Sequence, residues 1–215
     1  MTLYGYFRSS SAYRCRIAFN LKAVSADFVP VHLRRDGGEQ KGPAYTAINP
    51  QGLVPALEAD GVVLTQSLAI IEWLNETVPS PALLPTDKAL RAKVRAFALS
   101  IACDIHPLQN LRVLDYLRND LGHDQTVLDV WCRHWIGDGL SACEALLARE
   151  ERRGDFCFGE APGLADVCLV PQMFSATRFG VDVARFSRLR AISDACAAVP
   201  AFAKAHPSLQ PDSET

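Results

Sequence analysis

The chain has 215 residues, 49% of them hydrophobic, which is enough for a sizeable core and for division into two domains. Its 22 Lys and Arg against 24 Asp and Glu leave a formal net charge of -2, so there is no sign of a nucleic-acid surface or an acidic tail. Any anion chemistry must come from arginines placed locally.

In chain order, LYGYF at residues 3 to 7 reads as a short strand, and Ala12 to Lys22 as a helix with apolar side chains on two faces and Arg14, Arg16 and Lys22 between them. DFVPVHL at 27 to 33 reads as a second strand, with Pro30 arguing for a sheet edge. Residues 37 to 52 are loop-rich with room for one helical turn. VPALEADGVVL at 54 to 64 has two apolar runs around Asp60-Gly61, the pair that supplies the positive backbone angles of a tight hairpin. SLAIIEWLNE at 67 to 76 opens on a serine and then keeps helical spacing. VPSPALLPTD at 78 to 87, with three prolines, reads as a linker. Beyond it only helices are expected, over 88 to 119, 124 to 149, 166 to 179 and 186 to 198, interrupted by Pro107 and by the loop REERRGDFCFGEAPG. The pattern predicts a small mixed domain followed by an all-helical one.

The start, MTLYGYFRSS, lacks the charged opening and apolar core of a secretory leader, and no apolar run approaches membrane-spanning length. A cytoplasmic protein with neither membrane nor nucleic acid as partner is expected. Seven cysteines, at 15, 103, 132, 143, 157, 168 and 196, suit buried reduced thiols better than a disulfide framework. Asn75-Glu76-Thr77 matches a glycosylation sequon and is read as chance.

Two places can carry chemistry. Ser9, Ser10 and Ser11 fall between the first strand and the first helix, where helix N–H groups and hydroxyls can stabilise an anion such as a thiolate; a plain cap with two solvated neighbours is the competing reading. Val54-Pro55, followed by Gln66-Ser67 at a helix start, is the second. A cis X-Pro bond there would turn a backbone edge toward an extended peptide, and the helix end would hold a carboxylate, while a turn and a cap are the ordinary alternative. No GxSxG, GxxxxGK[ST] or CxxC pattern is present. Cys103 and His106 stand three apart without further ligands in view, so no metal is expected.

YFRSSSAYRCRIAF, NPQGLVPAL, LTQSLAIIEWL and DIHPLQNLRVLDYL, in this order and with ADVCLVPQ and RFGVDV behind them, resemble the zeta class of glutathione transferases over nearly the whole chain. The resemblance implies the glutathione transferase fold, an α/β thioredoxin-like N-terminal domain over 1 to 82 and an all-α domain over 88 to 212 that completes the substrate site, in a homodimer. It implies glutathione-dependent cis-trans isomerisation of maleylacetoacetate or maleylpyruvate to the fumaryl product, in aromatic amino acid catabolism. Transfer to or dehalogenation of small α-halo acids, and a non-catalytic binding module, are the alternatives.

By the same resemblance glutathione lies along Val54, with Pro55 cis. Its γ-glutamyl carboxylate meets Gln66 and Ser67, and His106 or Gln109 is expected to touch glutathione from the helical domain. The thiolate faces Ser9 first, with Ser10 and Ser11 helping, because the Cys often found at position 11 is replaced here. Arg8, Arg112 and Arg178 hold the carboxylates of the small dicarboxylate substrate, and Arg8 steadies the developing enolate. Gly163 stands where a Ser or Thr is usual, so Asp166 is expected to cap its helix without the reciprocal half of a capping box.

Overall fold

The computed structural model describes residues 1–151 and 154–214. They form two compact units, Met1–Ala82 together with the segment from Ala197 onward, and Leu83–Cys196. The C-terminal segment, expected with the helical domain, therefore packs with the first unit.

The first unit begins with β1 (Thr2–Gly5), α1 (Ser10–Leu21) and β2 (Asp27–Pro30), and continues through the short α2 (Pro43–Thr46) to β3 (Ala56–Ala59), β4 (Val62–Thr65) and α3 (Ser67–Thr77). The sheet order is β2-β1-β3-β4, with β1 and β2 parallel and the other pairs antiparallel. Pro30 ends an edge strand, where its missing N–H costs no ladder bond. Asp60 (φ 50°) and Gly61 (φ 78°) both take the left-handed conformation, the geometry of a two-residue hairpin turn. Gly5 is required by close approach, because a Cβ there would stand 2.9 Å from the Phe28 ring and 3.2 Å from the Ala12 methyl. On α1 and α3, which pack together, Ile17, Ile70, Ile71 and Leu74 are fully buried. Burying each such side chain stabilises by roughly 1.5–3 kcal/mol. Val31, Tyr45 and Ala56 form a second cluster, with Tyr4, Ile48 and Val54 against it.

The remainder of this unit has no periodic signal. α9 (Pro200–Lys204) packs on α1, tied by Asn20 Nδ2 donating to the Ala201 carbonyl at 2.9 Å and by Arg16 Nε donating to the Ala205 carbonyl at 3.2 Å. Lys22, only 4% exposed, donates from Nζ to Asn75 Oδ1 and to the carbonyls of Val78 and Pro81, which fastens the end of α3 and the chain beyond it.

The second unit is helical. α4 (Lys88–Leu99) is capped by Asp87, whose Oδ1 accepts the Leu90 N–H at 2.7 Å. The helical stretch expected through 119 is interrupted around Pro107, as its sequence suggests. A π turn over Ser100–Ile105 and a 3-10 turn over His106–Gln109 precede α5 (Leu111–Asn119). Pro107 accounts for the break, since it has no N–H and its ring collides with the carbonyl four residues back. Then come α6 (Gln125–Ala148), α7 (Leu164–Arg178) and α8 (Ser187–Ala197). At the start of α7, Asp166 Oδ2 accepts the Gly163 N–H and Oδ1 the Cys157 N–H, each at 2.8 Å. Gly163 has no side chain to answer, so the box is half of the usual one, as expected. No described helix is long and apolar enough to cross a membrane.

Candidate active site

Three segments of the first unit meet at one end of its sheet, and strand register is the reason. Tyr4 pairs with Ala56 and Ala56 with Thr65. The turn that follows β1, the Val54-Pro55 step that precedes β3 and the Gln66-Ser67 step that follows β4 therefore leave the sheet on the same side. In α/β sheets this carboxyl end of the parallel strands is where ligands bind.

Ser9 is the N-cap of α1. Its Oγ accepts the Ala12 N–H at 3.3 Å, and its own N–H donates to the Tyr6 carbonyl at 3.0 Å. The cap uses one lone pair of the hydroxyl and leaves its hydrogen available to a ligand. Ser10 and Ser11 are the first two helical residues; Ser10 is buried, while Ser9 and Ser11 keep exposed surface. The corner can therefore stabilise an anion through one capping hydroxyl and the positive end of a twelve-residue helix. Arg8, next to the cap, is half-buried, with its guanidinium carbon 5.3 Å from the Phe7 ring centroid. Burial raises the pKa of the neighbouring Tyr6 phenol, and the charge of Arg8 opposes that rise.

The Val54-Pro55 bond is cis, the isomer the resemblance implies. The carbonyl just before it, on Leu53, accepts from Tyr45 Oη at 2.7 Å and Asn49 Nδ2 at 2.6 Å, so two side chains hold the approach to the Val54 edge. Gln66 sits at φ 69°, ψ 115°, a sparsely populated conformation for a residue with a Cβ, of the kind that costs about 1–3 kcal/mol and clusters at ligand sites. Its Nε2 donates to Gln51 Oε1 at 2.9 Å. Ser67, the first residue of α3, is buried and accepts from Arg14 Nη1 at 3.3 Å.

Two members of this neighbourhood were not visible in the sequence. Arg14 is 1% exposed, so a buried cation stands directly behind Ser67, where it favours a carboxylate in front. Gln40 is buried, its Nε2 donating to the Leu33 carbonyl at 3.3 Å while Oε1 has no hydrogen-bond partner among the described residues; its backbone carbonyl lies against Gly52, two residues before Val54. No spacing rule singles out a glutamine in a 3-10 turn, and an arginine within α1 reads as flanking its apolar faces until its partner 53 residues away is known.

In the second unit, His106 and Gln109 bracket the 3-10 turn that follows the π turn, an irregularity often found at functional sites. Trp131 Nε1 pins that turn by donating to the Leu108 carbonyl at 2.7 Å. Gln109 donates to Gln172 Oε1 at 2.8 Å, leaving Gln109 Oε1 buried and unpartnered among the described residues. Asn110 caps α5 by accepting the Arg112 N–H at 3.1 Å, which puts Arg112 in the exposed first turn. Arg178 ends α7, exposed, with its guanidinium carbon 4.1 Å from the Phe179 ring centroid. Cys103 lies exposed in the π turn, and among the described residues no group of three or more His, Cys, Asp or Glu is placed to hold a metal ion.

The model of the glutathione S-transferase N-terminal domain matches residues 8–77. The chain is 52% identical over 213 residues to a maleylacetoacetate isomerase of Pseudomonas aeruginosa, covering 99% of this chain and 98% of that one. It superposes with a TM-score of 0.96, at 48% identity and full coverage of both chains, on the holo structure of a maleylpyruvate isomerase described as a bacterial zeta-class glutathione transferase. A maleylacetoacetate isomerase of Anaeromyxobacter dehalogenans, solved with dicarboxyethyl glutathione and citrate in its active site, matches at 40% identity and a TM-score of 0.86, covering 100% of this chain and 97% of that one. This chain belongs to the zeta class of the glutathione transferases.

Proposed function

We propose that the protein is a glutathione-dependent cis-trans isomerase of maleylacetoacetate or maleylpyruvate. The observation that carries this reading is the convergence of the Ser9 corner, the Val54 edge and Gln66-Ser67 at one end of one sheet. Those groups suit an extended γ-glutamyl tripeptide. The helix end suits a thiolate, the Val54 backbone a peptide, and Ser67 backed by Arg14 a carboxylate. The dicarboxyethyl glutathione in the Anaeromyxobacter relative supports the same chemistry, since addition of a thiol across a butenedioate leaves such a group.

When bound, glutathione would supply a thiolate whose addition turns the double bond into a single bond free to rotate and whose expulsion leaves the trans alkene. The chain's residues make that possible. Ser9 donates its hydroxyl hydrogen to the sulfur while its cap bond holds the oxygen in place, and Ser11 and the helix end add to the field. Lowering a thiol pKa by one to two units from about 8.5 requires about 1.4–2.7 kcal/mol of preferential thiolate stabilisation, within reach of one hydroxyl and a helix end. Arg8 steadies the negative charge that develops on the substrate's oxygen, and Arg8, Arg112 and Arg178 are the candidates for its carboxylates. His106 and Gln109 are the candidate glutathione contacts of the helical unit. On the same reading the protein acts as a homodimer in the cytoplasm.

The test is turnover of maleylpyruvate and of maleylacetoacetate with catalytic glutathione. Isomerisation that requires glutathione without consuming it is expected. Glutathione consumed in step with substrate, or no turnover of either compound, overturns the reading.

A further inference from the structure

The turn that presents Arg8 and Ser9 is held by the far end of the chain. Asp212 Oδ2 accepts the Phe7 N–H at 2.8 Å, across 205 residues of sequence. On the other side of the same residue, Arg16 Nη2 donates to the Phe7 carbonyl at 2.9 Å, Nη1 to the Tyr6 carbonyl at 3.4 Å, and Nε to the Ala205 carbonyl. Arg16 is 7% exposed; burial lowers its pKa to about 10, and the charge of Asp212 opposes the fall. Asp212 Oδ1 is buried with no hydrogen-bond partner among the described residues, while Oδ2 takes the Phe7 N–H. Two residues on, Glu214 Oε1 meets His32 Nε2 at 2.6 Å and anchors the tail beside it.

A bare loop would leave the Phe7 N–H to water. Here an ionised acceptor and an ionised donor clamp Phe7 from both faces immediately before the two residues that the proposed chemistry needs, and charge-assisted bonds of this kind are about twice as strong as neutral ones. We propose that Asp212 is a positioning residue: through the Phe7 N–H it sets the direction of Ser9 and Arg8 at the mouth of α1, so the C-terminal tail is a working part of the glutathione corner. The proposal rests on the reading of Ser9 and Arg8 given above.

Asp212→Ala removes the acceptor, whereas Asp212→Asn keeps an oxygen for the Phe7 N–H and discards the charge. In the free protein, amide hydrogen exchange at residues 7 to 9 should speed by about fivefold or more in Asp212→Ala and recover most of the protection in Asp212→Asn. With glutathione bound, the ultraviolet absorbance of the thiolate should titrate at higher pH in Asp212→Ala. Its kcat should fall about fivefold or more while KM for glutathione moves less than about twofold. Exchange rates equal to wild type in Asp212→Ala, or an Asp212→Asn protein as impaired as Asp212→Ala, overturn the proposal. A wild-type protein that isomerises neither substrate instead overturns the reading beneath it, and the exchange rates still decide whether Asp212 holds the turn.

Discussion

Ser9 Oγ accepts the Ala12 N–H at 3.3 Å, so the serine expected to face the thiolate is also the cap of α1. One side chain thus has a structural role and a chemical one, and substitution should separate them. Ser9→Ala loses both; the missing cap costs about 1 kcal/mol, and kcat should drop by about tenfold or more. Ser9→Gly loses the same hydroxyl but only a few tenths of a kcal/mol as a cap. Thermal melts and turnover on the two variants should show unequal stabilities and equal losses of kcat. A Gly variant with wild-type turnover would take Ser9 out of the chemistry.

The Arg14–Ser67 bond predicts a different signature. In the proposed site Ser67 and the buried cation behind it would act on a carboxylate remote from the reacting bond, so their removal should weaken ground state and transition state alike. Ser67→Ala should raise KM for glutathione by about five- to tenfold with kcat nearly unchanged. Initial rates across glutathione concentrations check this, and a fall in kcat at saturating glutathione would contradict it.

The arginines of the helical unit should report on the other substrate. Arg178→Ala and Arg112→Ala each remove a planar donor suited to a carboxylate, so KM for the dicarboxylate should rise by about tenfold for the one that binds it, with KM for glutathione unmoved. If neither KM changes, the substrate is held elsewhere.

Much of the sheet was legible because its cues are local. Asp60-Gly61 demands positive φ at both positions, Pro30 asks for an edge, and Ser67 ahead of an apolar period announces α3. The site was less legible wherever its chemistry depends on pairing across the chain. Arg14 and Arg16 read as charges flanking α1, yet both are buried, because Ser67 takes a donor of one and the carbonyls of Tyr6, Phe7 and Ala205 take those of the other. Pro107 marked a break, but a π turn has no residue signature of its own. The tail from Ala197 is short and proline-punctuated, so α9 and the reach of Asp212 to Phe7 left no periodic trace.

The buried thiols give the protein a predictable alkaline limit. Burial raises Cys132 from an ordinary 9.0 to about 11 and Cys143 to about 12, and pushes Cys157 and Cys196 up as well. A thiol that keeps its proton when folded but loses it when unfolded contributes stability that is intact below pH 9.0 and is lost as pH rises from there through 11 and 12. Each such thiol removes at most about 1.4 kcal/mol per pH unit in that window. The urea midpoint should therefore hold up to about pH 9 and decline above it. At neutral pH a thiol-specific disulfide reagent should label Cys103 at once and the other six only after unfolding.

Gly139 couples the packing of the helical unit to its candidate glutathione contacts. It lies on α6 where a methyl group would overlap the Ile105 side chain, and Ile105 ends the π turn immediately before His106. Ile105 is 2% exposed and has little room to retreat, so Gly139→Ala should force the π turn to shift and cost about 1–3 kcal/mol of overpacking, offset by up to about 1 kcal/mol of helix propensity. Because the 3-10 turn that carries His106 and Gln109, the proposed glutathione contacts, follows directly, the shift should also weaken glutathione binding. Gly137 provides the control. A methyl there meets the flexible end of the Arg185 side chain instead, which can swing aside, so Gly137→Ala should leave binding unchanged. Calorimetric titration of both variants with glutathione distinguishes the cases. Equal affinities would remove His106 and Gln109, carried by the turn that follows, from the proposed glutathione contacts.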